Sequence, residues 1–355
     1  MWFLEAGQFS TRAAHDRRLL PLWQERWALA AVLAVALGVV PFWGNDYWFS
    51  AILIPFLALS LAGLGLNLLT GYAGQLSLGS AAFMAAGAFA AYNAQLCLPG
   101  LPWWLGWGIG GLVAAALSVL FGLPSLRIKG FYLIVSTLAA QFLIPWALVK
   151  FSWFSHGSAS GVITAPPLTV AGWDLSHPAG RYLLTLVTVL GLTWVAHNMV
   201  RSELGRQWMA VRDMDTAAAV IGISLPRAKL LAFAISGFYL GVAGALWAFA
   251  YLVTVEPHGF DLARSFQILF IVIIGGLGSV AGAFLGAAFI VLFPLALSNL
   301  AGALPNGWID AGQLENLQKM AFGALIILVL IREPEGLASL WQRWRSRARR
   351  WPLRH

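Results

Sequence analysis

The chain has 355 residues, of which 60% are hydrophobic and only 10% charged, with a mean hydropathy of +0.77 and a formal net charge of +8. A soluble domain carries about 25% charged residues, so water is excluded as the main solvent and a lipid bilayer suits the composition instead. The basic excess does not point to nucleic acid, because much of it clusters in the tail Arg343–Arg354, where it reads as the flank of a last membrane span.

Apolar stretches of about 20 residues, the length that crosses a bilayer, fall at 27–43, 50–69, 80–97, 104–123, 131–149, 182–200, 230–253, 265–281, 283–300 and 319–331. The expected fold class is therefore an all-α polytopic membrane protein of about ten helices. It divides into an N-terminal tail (1–26), a transmembrane domain (27–331) and a basic C-terminal tail (332–355). Glycine is frequent, at 37 residues, as close helix packing in lipid favours, and Trp43, Trp48, Trp103, Trp104, Trp153, Trp308 and Trp341 fall at expected span ends, as interfacial belts require. The first 26 residues mix both signs of charge without a short apolar region and cleavage site, so no removable signal peptide is expected.

Orientation follows from Lys and Arg. The segments 1–26, 124–130, 201–229 and 332–355 hold 18 of the 22 basic residues. The positive-inside rule then puts both termini in the cytoplasm. Lys150, Arg181, Arg264 and Lys319 are assigned to outer segments, which leaves no charge at the middle of a span. Ion-driven pumps usually carry charged or histidine side chains at depth, so energy from another subunit, or a passive path, is expected. The single cysteine, Cys97, excludes an intrachain disulfide and a cysteine-based zinc cluster. The histidines (His15, His156, His177, His197, His258 and His355) show no ligand spacing, so no metal site is expected.

Three segments are more than hydrophobic. Between the second and third spans, Gly71 to Ser80 (GYAGQLSLGS) is glycine-rich, polar and uncharged. Irregular backbone at membrane depth requires burial in protein or an aqueous cavity, and a helix break also exposes helix-end dipoles to a ligand. Tyr72, Gly74, Gln75, Ser77 and Gly79 are the candidates for lining or gating a path; the plainer reading is a tight cytoplasmic turn. Later, in GGLGSVAGAFLG (275–286), Gly278, Gly282 and Gly286 recur every four residues and predict one close-packed helical face. No phosphate-binding motif accompanies them. Third, the long cytoplasmic segment Arg201 to Lys229 predicts a short helix over 216–221, with Asp213 or Asp215 as its cap, Gly222 as its stop and Ser224 capping the next helix. Such a helix exposes Ala, Val and Ile to the cytoplasm and would be covered by a partner protein, unless it is an ordinary connector.

Five motifs together, GYAGQLSLGSAAF (71–83), LRIKGFYLIVSTLA (126–139), SELGRQWMAVRDMDTAAAVIGI (202–223), PRAKLLAFAISGFYLGVAGALWA (226–248) and GGLGSVAGAFLGA (275–287), resemble the branched-chain amino-acid ABC transporter permease family, in particular its LivM-type subunits. The resemblance implies a non-catalytic subunit of an importer in a bacterial inner membrane. It would pair with a second, homologous permease, two cytoplasmic ATPase subunits and a periplasmic or extracellular solute-binding protein. ATP and Mg²⁺ would sit on the ATPases, with no cofactor on this chain. The resemblance assigns ATPase coupling to Glu203, Gly205, Arg206, Arg212, Asp213, Asp215, Ala217, Ala218 and Gly222. Many relatives read Arg-Glu-Asn-Glu where this chain has Arg212-Asp213-Met214-Asp215. An inverted repeat of spans 2–5 and 7–10 is compatible with the topology, although no sequence repeat is evident. Branched-chain or related amino acids are the expected cargo, with urea or short amides as the alternative. A passive channel for small neutral solutes is the reading from another class. No paired carboxylates or histidine cluster suggest a membrane-embedded enzyme.

Overall fold

The computed structural model describes residues 23–98, 100–126, 131–155, 162–164, 169–170, 173–174, 176–302 and 336–350, with scattered positions between 316 and 332. The expected tail 1–26 lies almost wholly outside these residues, and the expected span 319–331 is described only at scattered positions. Among the described residues, seven helices are long and apolar enough to cross a membrane. The chain is thus an all-α polytopic membrane protein.

In chain order the helices are α1 (Trp23–Ala34), α2 (Val40–Trp43), α3 (Ile54–Asn67), α4 (Ser80–Cys97), α5 (Trp103–Gly122), α6 (Phe131–Lys150), α7 (Ser152–Ser155), α8 (Pro178–Arg201), α9 (Glu203–Asp213), α10 (Asp215–Val220), α11 (Leu225–Leu246), α12 (Leu262–Gly275), α13 (Val280–Gly302) and α14 (Leu337–Arg350). Helix is the form that satisfies every backbone group of an open segment in lipid. Two-residue strands, β1 (Ile163–Thr164) with β4 (Thr254–Val255) and β2 (Thr169–Val170) with β3 (Trp173–Asp174), form antiparallel pairs in the connections.

The core is built from α3, α4, α5 and α11, whose facing residues are small. A Cβ built on Gly87 would lie 2.3 Å from the Gly241 Cα, and one on Gly244 would lie 2.0 Å from the Met84 carbonyl oxygen. Backbones approach this closely only where side chains are missing, which is how helices associate without a hydrophobic driving force. Asn93 in α4 and Ser118 in α5 turn their polar atoms onto the Phe89 and Phe233 carbonyls, at 2.9 and 2.8 Å.

Two spans carry π-helical turns. The span containing α3 is π-helical over Trp48–Leu53 and Leu68–Tyr72, and α11 continues as a π turn over Trp247–Leu252. After Tyr72 and after Leu252 the backbone leaves the helix, and α4 and α12 are the next α-helices. Val253, just past the second π turn, has φ of 58°, a strained value for a β-branched residue.

The expected eighth span needs correction. The eighth ends at Gly275, not 281, because Gly276 adopts φ of 109° and breaks the chain. It also begins earlier, so Arg264 belongs to α12 and not to an outer loop. Its guanidinium lies 4.2 Å over the Trp247 ring and bonds Gln267. A ring face and a side-chain amide thus partner the arginine at the start of α12.

Candidate functional site

The three unusual segments of the sequence meet at one place. Asn67, fully buried at the end of α3, donates from Nδ2 to the Ser279 carbonyl at 2.8 Å. Its Oδ1 accepts the Gly278 N–H at 2.9 Å. One amide thereby ties the break after α3 to the glycine-rich turn before α13. The Gly71 carbonyl in that break accepts a hydrogen bond from Arg212 Nη1 at 2.8 Å. The Arg212 Nε and Nη2 both reach Asp213 Oδ1 at 2.9 Å, which orients the guanidinium.

Backbone conformation makes room for this contact. Gly74 has φ of 68°, and a Cβ there would lie 2.8 Å from Arg212 Cγ. Gly278 has φ of 72° and sits against Gly71 and the Arg212 Nη1. The expectation that Gly278, Gly282 and Gly286 share a helical face is corrected for Gly278, which belongs to the turn before α13. Gly282 and Gly286 lie on α13 and press against α12: a Cβ on Gly286 would lie 2.0 Å from the Ile271 carbonyl oxygen.

Beyond Gly74 the chain runs without helix to Gly79. Gln75 N–H bonds the Leu69 carbonyl at 3.0 Å, Tyr72 and Ser77 are buried, and Gly79 lies against the Thr137 carbonyl. Side chains from other helices then cap α4. Leu78 N–H donates to Thr137 Oγ1 at 3.0 Å, Ala81 N–H to Ser265 Oγ at 2.9 Å and Ala82 N–H to Gln141 Oε1 at 2.9 Å. Gln141 also accepts from Ser265 Oγ at 2.8 Å and donates to the Phe260 carbonyl at 2.9 Å. Ser265 lies roughly 15 Å along α12 from Gly275, at about 1.5 Å rise per residue, and Gly275 packs on Gly282 beside the Arg212 cluster. The start of α4 is therefore at membrane depth, next to the start of α12. The segment 73–79 is irregular backbone that is only partly buried: Ala73, Ser77 and Gly79 are covered, while Gly74 and Leu76 are exposed. Sequence reading missed Gln141 and Ser265; a lone amide in the apolar α6 was the signal available.

The segment after α8 forms a helix pair. Gly205 lets α9 fold back on α8, since a Cβ there would lie 1.9 Å from the Val200 carbonyl oxygen. Trp208, 1% exposed, anchors α9 by donating to the Ala228 carbonyl at 3.0 Å. Glu203 and Arg206 are exposed. The expected capping by Asp213 or Asp215 is corrected: Met214 occupies the cap position of α10 without a side-chain hydrogen bond, and Asp215 begins the helix. Ser224 precedes α11 likewise without a side-chain cap. At its end α10 closes as a Schellman motif, with Ile223 N–H on the Ala218 carbonyl (3.0 Å), Gly222 N–H on the Ala219 carbonyl (3.1 Å) and Gly222 at φ of 90°. Ala218 is buried beneath the helix, while Ala217 and Ala219 are exposed. Met214, Val220 and Ile221 are also exposed, at 62%, 88% and 73%.

Residues 48–330 match the family described as the branched-chain amino acid transport system permease component. The chain belongs to that family. Among curated relatives it is 32% identical over 302 residues to the high-affinity branched-chain amino acid transport permease LivM of Escherichia coli (strain K12), covering 78% of this chain and 67% of the relative. The LivM of Salmonella typhimurium matches with the same figures. The fructose import permease FrcC of Rhizobium meliloti is 28% identical over 214 residues, covering 54% of this chain and 58% of the relative. No solved structure matches the chain. The permease is thus a multi-pass membrane component of a transport system, and the Arg212 cluster is the place where its three glycine-rich or charged motifs join.

Proposed function

We propose that the chain is the transmembrane permease subunit of an ATP-binding-cassette importer for branched-chain or related apolar amino acids, in which α9 and α10 dock a cytoplasmic ATPase. The observation that carries this reading is the Arg212 contact. Met214, Val220 and Ile221 offer the partner an apolar surface on α10, and Arg212 at the end of α9 holds the Gly71 carbonyl. A displacement of the helix pair therefore reaches the break after α3 through one side chain. The break continues through the irregular segment 73–79 into the start of α4, so the same displacement reaches that helix.

In this reading both termini and the α9–α10 pair face the cytoplasm of a bacterial cell, and the membrane is the inner one. Gly336 supports the shared side, since it packs within 2.5 Å of the Gly276 Cα, measured from a built Cβ, and so places the start of α14 next to the Arg212 cluster. A second permease completes the pore, and a solute-binding protein outside delivers the cargo. Apolar amino acids suit a path without mid-span acidic residues, and the 32% identity to LivM supports that class over others.

The test is uptake into proteoliposomes holding the permease with its partner subunits. ATP-dependent accumulation of leucine, competed by isoleucine and valine and not by urea or xylose, is the expected result. Leucine flux that persists without ATP would mean a channel, and accumulation of urea or a sugar alone would overturn the cargo.

A further inference from the structure

Beneath the α9–α10 junction lies a cavity of about 350 Å³, within the size range of small-molecule sites, about 300–1,000 Å³. Its wall holds two cations, Arg212 and Lys229, and two carboxylates, Asp213 and Asp215. Lys229 is 5% exposed, at the first turns of α11. These formal charges cancel, and Arg212 is already engaged by Asp213 and the Gly71 carbonyl, so a lone anion or cation would meet no uncompensated opposite charge. A zwitterion is complementary to both signs at once, with its carboxylate toward the cations and its ammonium toward the aspartates. Gly74, Gln75, Leu76, Leu133, Val211 and Met214 form the rest of the wall. The four apolar side chains among them suit an aliphatic side chain, and Gln75 is the one neutral polar side chain of the lining.

The position of the cavity adds a consequence. One side is the segment Gly74 to Leu76, which begins the irregular stretch. The other is Val211 to Asp215, where α9 passes into α10. A ligand in contact with both would stabilise the present arrangement of coupling helices against the break. Such a ligand shifts an equilibrium by its differential affinity for the two arrangements, and here it favours the one in which Arg212 holds Gly71.

We propose that this cavity is an inhibitory site for a small aliphatic amino acid in its zwitterionic form, reached from the side of α9 and α10. The binding claim stands on the cavity alone; the inhibitory claim rests on the importer reading, because it makes accumulated cargo the signal that slows further import.

Two measurements test it. In the first, the full chain in lipid nanodiscs is titrated with radiolabelled leucine. Saturable binding is expected, competed by valine and not by acetate, phosphate or ethylamine. Lys229→Met and Leu133→Phe, which remove a cation and narrow the cavity, are each expected to weaken it by at least roughly tenfold. No saturable binding, unchanged binding in both variants, or competition by phosphate as strong as by valine overturns the proposal. Thermal melting of the two variants near that of the original chain separates a lost site from a lost fold.

In the second, proteoliposomes of the assembled transporter are preloaded with leucine on the α9–α10 side. Preloading is expected to slow ATP-driven uptake, and Lys229→Met to relieve that slowing. Equal slowing in the variant overturns the regulatory role. Lower uptake by the variant in unloaded vesicles also overturns it, by making the cavity part of the path. An absence of any leucine uptake would refute the importer reading and leave the binding measurement to decide the site.

Discussion

The Arg212 guanidinium donates to the carbonyl of Gly71 at 2.8 Å, across 141 positions of sequence. Gly71 lies at the end of a span and Arg212 on a surface helix, so one side chain connects the face offered to a partner with the interior of the bundle. Lysine has the charge but not the planar fork that lets Arg212 bond Asp213 and Gly71 together. Arg212→Ala is expected to leave ATP hydrolysis by the assembled complex in place while uptake falls by roughly tenfold or more, the scale of losing one charged hydrogen bond of about 1.5–3 kcal/mol. Arg212→Lys is expected to recover part of the loss. Uptake and hydrolysis that stay coupled in Arg212→Ala would sink the transmission role.

Gly74 is held at φ of 68° with Arg212 Cγ 2.8 Å from where its Cβ would be. Gly74→Leu combines a left-handed backbone cost of roughly 1–2 kcal/mol with a direct collision. It is expected to displace Arg212 and block transport, while the complex still assembles. Size-exclusion profiles alongside uptake decide the matter; normal flux in an assembled complex contradicts it.

Ala219 and Ala218 separate docking from folding. Ala219 faces outward on α10, whereas Ala218 is 2% exposed. Ala219→Arg is expected to reduce copurification of the ATPase and to leave thermal stability unchanged. Ala218→Arg forces a charge into a packed position and is expected to lower the melting temperature as well. ATPase recovery at the original level with Ala219→Arg would refute docking at α10.

Gln141 joins three elements, since its amide serves Ala82, Ser265 and Phe260. Gln141→Leu keeps the bulk but leaves those buried groups unpaired, at about 1–3 kcal/mol for each. A clear drop in the melting temperature of the purified permease is expected, with Gln141→Met no better because it too lacks the amide. An unchanged melting temperature would mean that the start of α4 does not depend on this cap.

Much of the membrane architecture was legible from hydropathy alone. Ser80–Cys97 coincides with the expected third span, Trp103–Gly122 is shifted by one residue from the expected fourth, and Phe131–Lys150 extends one residue past the expected fifth. The charge pattern put Arg264 in an outer segment; the structure places it in the first turn of α12 against the Trp247 ring, a partner 17 positions away that no local pattern records. Gly278 was misread for a related reason. Spacing of four suggests a helical face, yet its φ of 72° places it in the turn that receives Asn67. The helix α10 was expected from composition, whereas its cap was not, because Asp213 is drawn away to Arg212.

By itself the sequence determined that this chain lives in lipid, where its helices run, and which three segments differ from plain spans, because transfer free energy depends on composition over some 20 residues. Tertiary structure alone decided that those segments converge on Arg212, Asn67 and Gly278, and that α4 starts at depth beneath caps from α6 and α12. Those contacts join residues 59 to 212 positions apart. They form only because backbone groups freed by a broken helix in lipid must find partners, and no local pattern records which distant side chain provides them.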